Sequence, residues 1–193
     1  MGSFDVLHNG EIYNSMDSIF TEKQNIYMEK LYEFNHSQPT EVKKRNNLLK
    51  LMVAEIGENC HIEPPFHANW GGKHVHFGNN VYANFNLTLV DDTHIYIGDH
   101  VMIGPNVVIS TAGHPIAPEL RIQGGQYNKS IHIENNVWIG SGVQIVPGVR
   151  IGENSVIGAG SIVTKDIPSN VVAFGNPCRI HRIINKDKKR TEK

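Results

Sequence analysis

Aliphatic side chains recur at six-residue intervals through the second half of the chain. A helix repeats about every 3.6 residues and a strand every 2, so neither element alone produces this spacing. A fixed six-residue period with one aliphatic phase is typical of the stacked coils of a hexapeptide β-helix. The pattern therefore predicts a mainly β chain wound into parallel coils. The aliphatic phase holds Ile97, Ile103, Ile109, Ile133, Ile139, Ile145, Ile151, Ile157 and Val163.

Two further columns share this period. Glycine often follows the aliphatic position, and a small or apolar side chain stands four positions after it. Glycine permits turn dihedrals that a Cβ disfavours, and branched side chains suit a pleated, half-buried surface. Because one coil cannot bury its apolar face alone, several coils must stack. The second apolar column holds Val101, Val107, Val137, Val143, Val149, Ser155, Ser161 and Ile167.

The breaks in this pattern divide the chain into three parts. Residues 1–58 carry no hexads and form an N-terminal helical segment, residues 59–178 form the β-helix, and residues 179–193 form a cap and a charged tail. The period slips by two residues before Ile97, which predicts a small loop near residues 91–95. A longer break at residues 113–130 predicts a protruding loop, and long loops on a rigid scaffold often carry function.

Two helices are predicted in the N-terminal segment. Thr21 with Gln24 resembles a capping box, and Ile26, Leu31 and Phe34 give the first helix an apolar face. Pro39 precedes a second helix start, and Gly57 is expected to end that helix. The apolar stripe of the second helix would hold Val42, Leu48, Leu49, Met52 and Val53. We expect the two helices to pack beside the coils or over one end of them.

Composition excludes several classes of function. The formal net charge of −1 gives no basic footprint for nucleic acid. No apolar run approaches the roughly 18 residues of a membrane span, and the N-terminus lacks the order of a secretory signal. Cys60 and Cys178 form neither a disulfide framework nor a CxxC motif, so we expect reduced thiols in a cytoplasmic protein.

His114 is the first candidate for chemistry. It opens the protruding loop at its junction with the coil, and a neutral imidazole can accept a proton from a hydroxyl near neutral pH. Trp138 occupies a hexad phase that should face outward, and an exposed indole often marks a contact surface. The indole could stack on a ligand or fill a subunit interface, and the sequence leaves both interpretations open.

Other polar residues have a structural and a functional interpretation. Asn84 and Asp92 flank the irregular coil and could orient hydroxyl groups or solvate turns, while Tyr82 could contact a ligand or pack. His94 and His100 stand six residues apart and suggest zinc, but their turn-like phase disfavours a metal site, and we expect none. Small and cationic residues near the regular end could border a groove for a phosphate-bearing ligand or form ordinary surface. These are Ser141, Ala159, Thr164, Lys165, Arg179 and Arg182.

The order and spacing of several segments resemble the galactoside and maltose O-acetyltransferases over residues 8–185. The first two matching segments are Tyr32-Glu33-Phe34-Asn35-His36-Ser37 with Pro39, and Tyr82-Ala83-Asn84-Phe85-Asn86. Asp91-Asp92, Gly113-His114-Pro115 and Asn136-Val137-Trp138-Ile139-Gly140 follow. The run from Val156 to Pro168 and the closing Gly175-Asn176-Pro177-Cys178-Arg179 complete the resemblance.

This resemblance implies a left-handed parallel β-helix, a cytoplasmic homotrimer with active sites between subunits, and acetyl-CoA as co-substrate. His114 would be the general base for direct attack of a sugar hydroxyl on the thioester. Asn84, Asp92 and Tyr82 would hold the acceptor, and a backbone N–H near Ser141 would stabilise the oxyanion. The residues that would contact acetyl-CoA are Trp138, Ser141, Ala159, Thr164, Lys165, Arg179 and Arg182.

The chain departs from the family pattern on the acceptor side. Ser15 stands where relatives carry an acidic residue, with Asp17 two positions later, and either could replace that contact. Asn69-Trp70-Gly71 stands where relatives often have Asp-Tyr-Gly. These differences leave the acceptor open among galactoside, maltose and glucose types. The alternatives are an antibiotic or other xenobiotic acceptor, a non-catalytic trimeric scaffold, and a zinc-binding trimer.

Overall fold

A computed structural model describes residues 4–184; the predicted tail Lys186–Lys193 lies outside this range. The N-terminal segment contains a 3-10 helix (Asp5–Leu7), β1 (Tyr13–Asn14), α1 (Ser18–Asn35) and α2 (Val42–Met52). The first coil follows as β2 (Glu55–Ile56), β3 (His61–Ile62) and β4 (Phe66–Ala68). The second is β5 (Val75–Phe77), β6 (Tyr82–Ala83) and β7 (Leu87–Val90), and the third is β8 (Ile95–Ile97), β9 (Met102–Ile103) and β10 (Val108–Ser110).

A protruding loop interrupts the winding between the third and fourth coils. It contains β11 (Ala112–Gly113), α3 (Pro118–Ile122) and β12 (Gly125–Asn128). The fourth coil is β13 (Ile131–Ile133), β14 (Trp138–Ile139) and β15 (Gln144–Ile145), and the fifth is β16 (Arg150–Ile151), β17 (Val156–Ile157) and β18 (Ile162–Val163). The chain then passes through β19 (Val171–Phe174) and ends its described part in β20 (Arg179–Ile183). The predicted C-terminal cap is therefore a strand.

Each coil adds one strand to each of three parallel sheets, so the coils form a three-sided prism. Face 1 has the strand order β2-β5-β8-β13-β16, face 2 has β3-β6-β9-β14-β17-β19-β20, and face 3 has β4-β7-β10-β15-β18. Only β20 runs antiparallel to its neighbour in these sheets. The asparagine corner joins faces 1 and 2, the small-residue corner joins faces 2 and 3, and the loop corner joins faces 3 and 1.

The predicted aliphatic columns form the core, and like stacks on like. Ile109 lies opposite Ile145, and Ile139 lies opposite Ile157. Every residue of the six-residue aliphatic series from Ile97 to Val163 is at most 3% exposed. Burial of one such side chain stabilises the fold by about 1.5–3 kcal/mol. The hexapeptide prediction is therefore confirmed, including the slip near residues 91–95, where the chain leaves β7 and turns before β8.

The two N-terminal helices cover the first coil. Phe34 packs edge-on against Phe66, with ring centroids 6.3 Å apart. Asn35 fixes this contact because its side chain donates to the carbonyl of Phe66 at 2.8 Å and accepts from the amide of Phe66 at 2.9 Å. Leu48, Leu49 and Met52 of α2 join the same core.

Details of the helix predictions were wrong. The cap of α1 is Asp17, whose carboxylate accepts from the amide of Ile19, so Thr21 and Gln24 lie inside the helix. Ile26 and Val42 are about half exposed. The second helix ends at Met52 because the chain enters β2 at Glu55, and Gly57 already belongs to the asparagine corner. The first coil therefore begins before residue 59, with Ile56 and Ile62 six residues apart but out of phase with the series that begins at Ile97.

Asparagine repeats at the corner between faces 1 and 2, where the backbone turns through positive φ. Asn59, Asn80, Asn136, Asn154 and Asn170 have φ between 55° and 61°. Their side-chain amides bond from coil to coil, as in the 3.2 Å contact from Asn136 to Asn154 and the 2.9 Å contact from Asn154 to Asn170. His100 occupies the same position in the third coil, with φ 57°, and interrupts this ladder.

A histidine cluster joins the N-terminal segment to the loop corner. It consists of His8, His74, His76 and His94, and the ring centroids of His8 lie 5.0 Å from His74 and 4.7 Å from His94. His76 Nε2 lies 2.9 Å from His94 Nδ1. His94 and His100 therefore stand at two different corners and share no site, although the sequence places them in equivalent hexad positions.

Burial disfavours the charged form of His8, His74 and His94 in this cluster. It lowers the pKa of His74 to about 4, and the neighbouring His8, His94 and Lys73 add to the effect. Burial also lowers the pKa values of His8 and His94, while Asp5 acts against this on His8. Burial also raises the pKa of the Asp91 carboxyl to about 6. Asp91 therefore has the opposite effect of the histidines and makes the fold more stable as the pH falls.

The ladder predicts a stabilising substitution. His100→Asn should restore the side-chain bonds between the second and fourth coils, and each such bond contributes about 0.5–1.5 kcal/mol. We expect a higher thermal unfolding midpoint. Asn154→His, which removes two observed bonds, is the matched control and should lower the midpoint. An unchanged or lower midpoint for His100→Asn would show that the ladder does not contribute to stability.

The histidine cluster predicts a loss of stability in mild acid. Three of its imidazoles, those of His8, His74 and His94, have lowered pKa values in the fold, so the unfolded chain binds protons first as the pH falls through about 6.5. Three imidazoles outnumber the single Asp91 carboxyl, so stability should fall from pH 7 to pH 5. His74→Asn should recover about 1–2 kcal/mol of that loss, after discounting its partial exposure. Denaturant unfolding at both pH values measures this, with exposed His67→Asn as control; an unaltered pH dependence in His74→Asn contradicts it.

Candidate active site

The protruding loop is tied to both the coils and the N-terminal segment. β12 lies between β11 and β1 in a three-stranded antiparallel sheet. α3 begins with Pro118, whose missing N–H costs nothing at a first helical turn, and Gly124 then turns the chain into β12 with φ 77°. The loop is therefore held by main-chain bonds on two sides.

His114 stands at the base of this loop with its ring oriented. Its Nδ1 lies 2.8 Å from the carbonyl oxygen of Gly125. A carbonyl can only accept, so Nδ1 carries the hydrogen, and in the neutral ring Nε2 holds the lone pair. His114 is exposed in the single chain. The geometry provides an oriented imidazole that can accept a proton through Nε2.

Ser15 and Asp17 have different surroundings. The amide and the hydroxyl of Ser15 both donate to the carbonyl of Gly124, at 2.9 Å and 3.0 Å. Ser15 is therefore attached to the residue before the one that orients His114. Asp17 uses its carboxylate to cap α1. Of the two, Ser15 is the one bound to the loop that carries His114.

Asp92 is buried beside this loop and anchors Asn69. The residue is 5% exposed. Its Oδ2 accepts from Asn69 Nδ2 at 2.9 Å, and its Oδ1 accepts from the indole N–H of Trp70 at 3.4 Å and from Gln126 Nε2 at 3.3 Å. The sequence analysis missed Gln126, because it lies in the loop where no period or motif distinguishes it.

The other group of predicted residues lies at the small-residue corner. Tyr82 and Trp138 share one outward column of face 2, since both pair with Met102. Trp138 is 55% exposed, as its hexad phase predicted. Asn84 follows β6 at this corner, and Ser141 and Ala159 follow β14 and β17 at the same position. The amide of Gly160 donates to the carbonyl of Ser141, so these turns stack directly.

The small-residue corner leaves room along its surface. A Cβ on Gly160 would meet nothing within 4 Å, and one on Gly142 would only reach the amide of Gly160. Ser141 and Ala159 are exposed. The corner thus forms a shallow strip of small side chains beside the exposed indole of Trp138, which suits a long, thin ligand.

The residues predicted to border the phosphate-binding groove, Thr164 and three cations, are divided between the two corners. Thr164 and Lys165 follow β18 on face 3 and therefore lie at the loop corner. Arg179 lies in β20 opposite Phe174, near the end of the small-residue corner, and Arg182 lies opposite Val172. Face 3 separates the two groups by at least about 10 Å of extended chain.

The structure thus places the predicted site residues in two separate groups. His114, Ser15, Asn69 and Asp92 share the loop corner. Tyr82, Asn84, Trp138, Ser141 and Ala159 belong to the small-residue corner. No three His, Cys, Asp or Glu side chains among residues 4–184 are placed to hold one metal ion. Over the same range no helix has the length and apolar character that a membrane crossing needs.

Two protein-family models match parts of the chain. Residues 7–57 match the maltose acetyltransferase hexapeptide capping motif, and residues 130–165 match the bacterial transferase hexapeptide with six repeats. The galactoside O-acetyltransferase of Lactococcus lactis subsp. lactis (strain IL1403) is 58% identical over 183 residues, which span 95% of this chain and 88% of the relative. That of Escherichia coli (strain K12) is 56% identical over 176 residues, 91% of this chain and 86% of the relative.

Solved structures agree with these sequences. A galactoside acetyltransferase in complex with coenzyme A superposes with a TM-score of 0.94 at 52% identity, covering 100% of this chain and 96% of the other. A maltose O-acetyltransferase from Clostridium difficile 630 gives a TM-score of 0.93 at 39% identity, covering 96% and 99%. The chain belongs to the galactoside and maltose O-acetyltransferase family of hexapeptide-repeat proteins.

Proposed function

We propose that this chain is an acetyl-CoA-dependent O-acetyltransferase that acetylates a hydroxyl group of a sugar. The observation that carries the proposal is His114, whose Nδ1–H is committed to the Gly125 carbonyl, so that Nε2 is the basic nitrogen. The resemblance to galactoside and maltose O-acetyltransferases supports the sugar class of acceptor. The match of the N-terminal segment to the maltose acetyltransferase capping motif supports it further and favours a sugar over a xenobiotic.

His114 acts as a general base in this mechanism. Its Nε2 takes the hydrogen of the acceptor hydroxyl as that oxygen forms the new ester bond with the acetyl carbon. The carbon–sulfur bond breaks, and the imidazolium returns its proton to the departing sulfur. The Gly125 carbonyl stabilises the charged ring through Nδ1–H and fixes its direction. A backbone N–H near Ser141 stabilises the oxyanion that develops during the attack.

The small-residue corner fits the co-substrate. Its strip of Ser141, Gly142, Ala159 and Gly160 offers no side chain larger than a hydroxymethyl group to a thin pantetheine arm. The exposed indole of Trp138 borders that strip. Cations toward its end can meet phosphates. A structural relative solved in complex with coenzyme A supports coenzyme A as the group that this chain binds. Arg179 and Arg182 at the end of the strip, and Thr164 and Lys165 from the loop corner of the neighbouring subunit, are the proposed contacts at the nucleotide end.

The acceptor lies on the loop corner. Asn69 supplies an amide there, and Asp92 supplies a carboxylate. Ser15 supplies a hydroxyl oxygen beside Gly124, the residue before the Gly125 carbonyl that orients His114. Tyr82 and Asn84 complete the acceptor site from the other corner. Asp17 remains in the helix cap and leaves the acceptor contact to Ser15.

Neither corner is complete alone, which argues for a site shared between subunits. The base and the co-substrate strip belong to different corners of the prism, with face 3 between them. We propose a homotrimer in which the loop corner of one subunit faces the small-residue corner of the next. A three-fold ring uses each corner once and closes on itself. An acceptor screen with acetyl-CoA and thiol release tests the activity, using galactosides, glucose, maltose and chitooligosaccharides.

Removal of the base should abolish most of the chemistry. His114→Ala should lower kcat about 100-fold or more, because a positioned general base contributes 10²–10⁴-fold. Acetyl-CoA binding should persist, since the strip lies on another corner. Steady-state kinetics and calorimetric titration with acetyl-CoA measure the two effects. A kcat within a few-fold of the native value would contradict the assignment of His114.

Mixed trimers test the shared site. His114→Ala lacks the base, and Ala159→Trp should block the co-substrate strip, so each homotrimer should be inactive. Co-expressed subunits should regain about one quarter of native activity, because a random ring pairs an intact loop corner with an intact strip at one site in four. Activity no higher than that of the two separate variants would place the whole site within one subunit.

A further inference from the structure

Three consecutive residues, Gly124 and the first two residues of β12, contact side chains of the proposed site. The carbonyl of Gly124 receives both bonds from Ser15, and the carbonyl of Gly125 receives the bond from His114. The next residue, Gln126, reaches Asp92 with its side chain. A shift of this strand would therefore move the base, Ser15 and the partner of Asp92 together.

Gln126 is the polar centre of the loop corner. It is 8% exposed, and its Nε2 lies 2.6 Å from the hydroxyl of Tyr13, 3.2 Å from Asn128 Oδ1 and 3.3 Å from Asp92 Oδ1. A carboxylate can only accept, so the amide nitrogen must face Asp92. The amide hydrogens of Gln126 thus bind the loop to the coil at Asp92 and to the N-terminal strand at Tyr13.

The rest of the network immobilises Gln126. Asn128 donates to the same Tyr13 hydroxyl at 3.2 Å and to the carbonyl of Leu7 at 3.1 Å. Tyr13 pairs with Gln126 across the β1–β12 ladder, and its ring packs edge-on against Phe20. Burial raises the pKa of Tyr13 to about 12, so the phenol remains a neutral partner at working pH.

A buried carboxylate needs donors that fix it in one orientation. Asn69 holds Oδ2 of Asp92, but Asn69 is itself exposed and faces the proposed acceptor. Oδ1 has the Trp70 indole at 3.4 Å and Gln126 at 3.3 Å. Of these donors, Gln126 alone lies on the strand that also orients His114. The Gln126 side chain therefore links the position of the proposed acceptor-binding carboxylate, Asp92, to the position of the proposed base, His114.

We infer that Gln126 is a positioning residue that sets the acceptor-binding geometry of Asp92 relative to His114. This inference rests on the proposed function, because it concerns the acceptor half of that site. Gln126 acts through Asp92, and the co-substrate strip lies on another corner. Its loss should therefore affect acceptor recognition and leave acetyl-CoA recognition intact.

Two substitutions at this position separate positioning from folding. Gln126→Met keeps the unbranched shape and removes the donor. We expect the acceptor KM to rise about ten-fold, as for the loss of one hydrogen bond to a charged group, with the acetyl-CoA KM within two-fold of native. Gln38→Met, at an exposed position before α2, is the matched control and should leave both constants unchanged. An unaltered acceptor KM, or an equal rise in both constants, would overturn the inference.

Gln126→Glu adds a pH signature. The new carboxyl would face Asp92 and the Tyr13 hydroxyl, which now lie 3.3 Å and 2.6 Å from Gln126 Nε2. Two carboxylates at this distance repel each other, so the pair takes up one shared proton as the pH falls and loses it as the pH rises. At pH 8 the acceptor KM should exceed that of Gln126→Met. At pH 5.5 the shared proton restores a donor, so the acceptor KM should approach the native value measured at the same pH. A ratio of Glu variant to native that does not change with pH would overturn the inference.

The native protein is assayed in parallel to distinguish the two levels of the argument. Native activity with an unchanged Gln126→Met variant overturns the role of Gln126 alone. A native protein that transfers acetyl to none of the sugars in the screen overturns the proposed function, and the inference with it.

Discussion

Stacking of buried apolar side chains from coil to coil is the constraint on which this structure depends. Each strand bonds to the strands one coil before and one coil after it, and an aliphatic side chain lies on its counterpart in the next coil. The register therefore cannot slip by one residue without turning the core outward. Corner residues such as Ser141 and Ala159 are consequently held at fixed spacing by backbone geometry.

The protruding loop has no such repeat to fix it, and the N-terminal segment supplies the missing restraint. β12 pairs on one side with β11 and on the other with β1. His8 reinforces the same junction through Thr93, next to Asp92, at 2.8 Å. The N-terminal segment thus has two roles. Its helices cover the apolar end of the prism, and its extended part holds the loop that carries His114.

The distribution of chemistry over the prism follows from these two restraints. The coils provide a shallow strip where small residues stack and, at the turn between β7 and β8, the buried carboxylate of Asp92. The loop provides the oriented imidazole of His114 and the amide of Gln126 that reaches Asp92. A prism cannot bring two of its own corners together, because face 3 is stiff and lies between them. The proposed assembly with further copies would bring two such corners together and would cover exposed groups such as Trp138 beside the strip.

The six-residue period was sufficient to predict the coil, because each of its phases has its own physical requirement. It also predicted the positions of His114 at a break and of Trp138 at an outward phase, and the structure shows His114 at the base of the loop and Trp138 exposed. The tertiary structure decided the start of the first coil, the cap at Asp17 and the separation of His94 from His100, since these depend on where the winding begins and turns. The contacts of Gln126 became visible only in the tertiary structure. Gln126 lies in an aperiodic loop, and its partners Asp92 and Tyr13 are more than 30 and more than 100 positions away, so these contacts leave no pattern in the sequence.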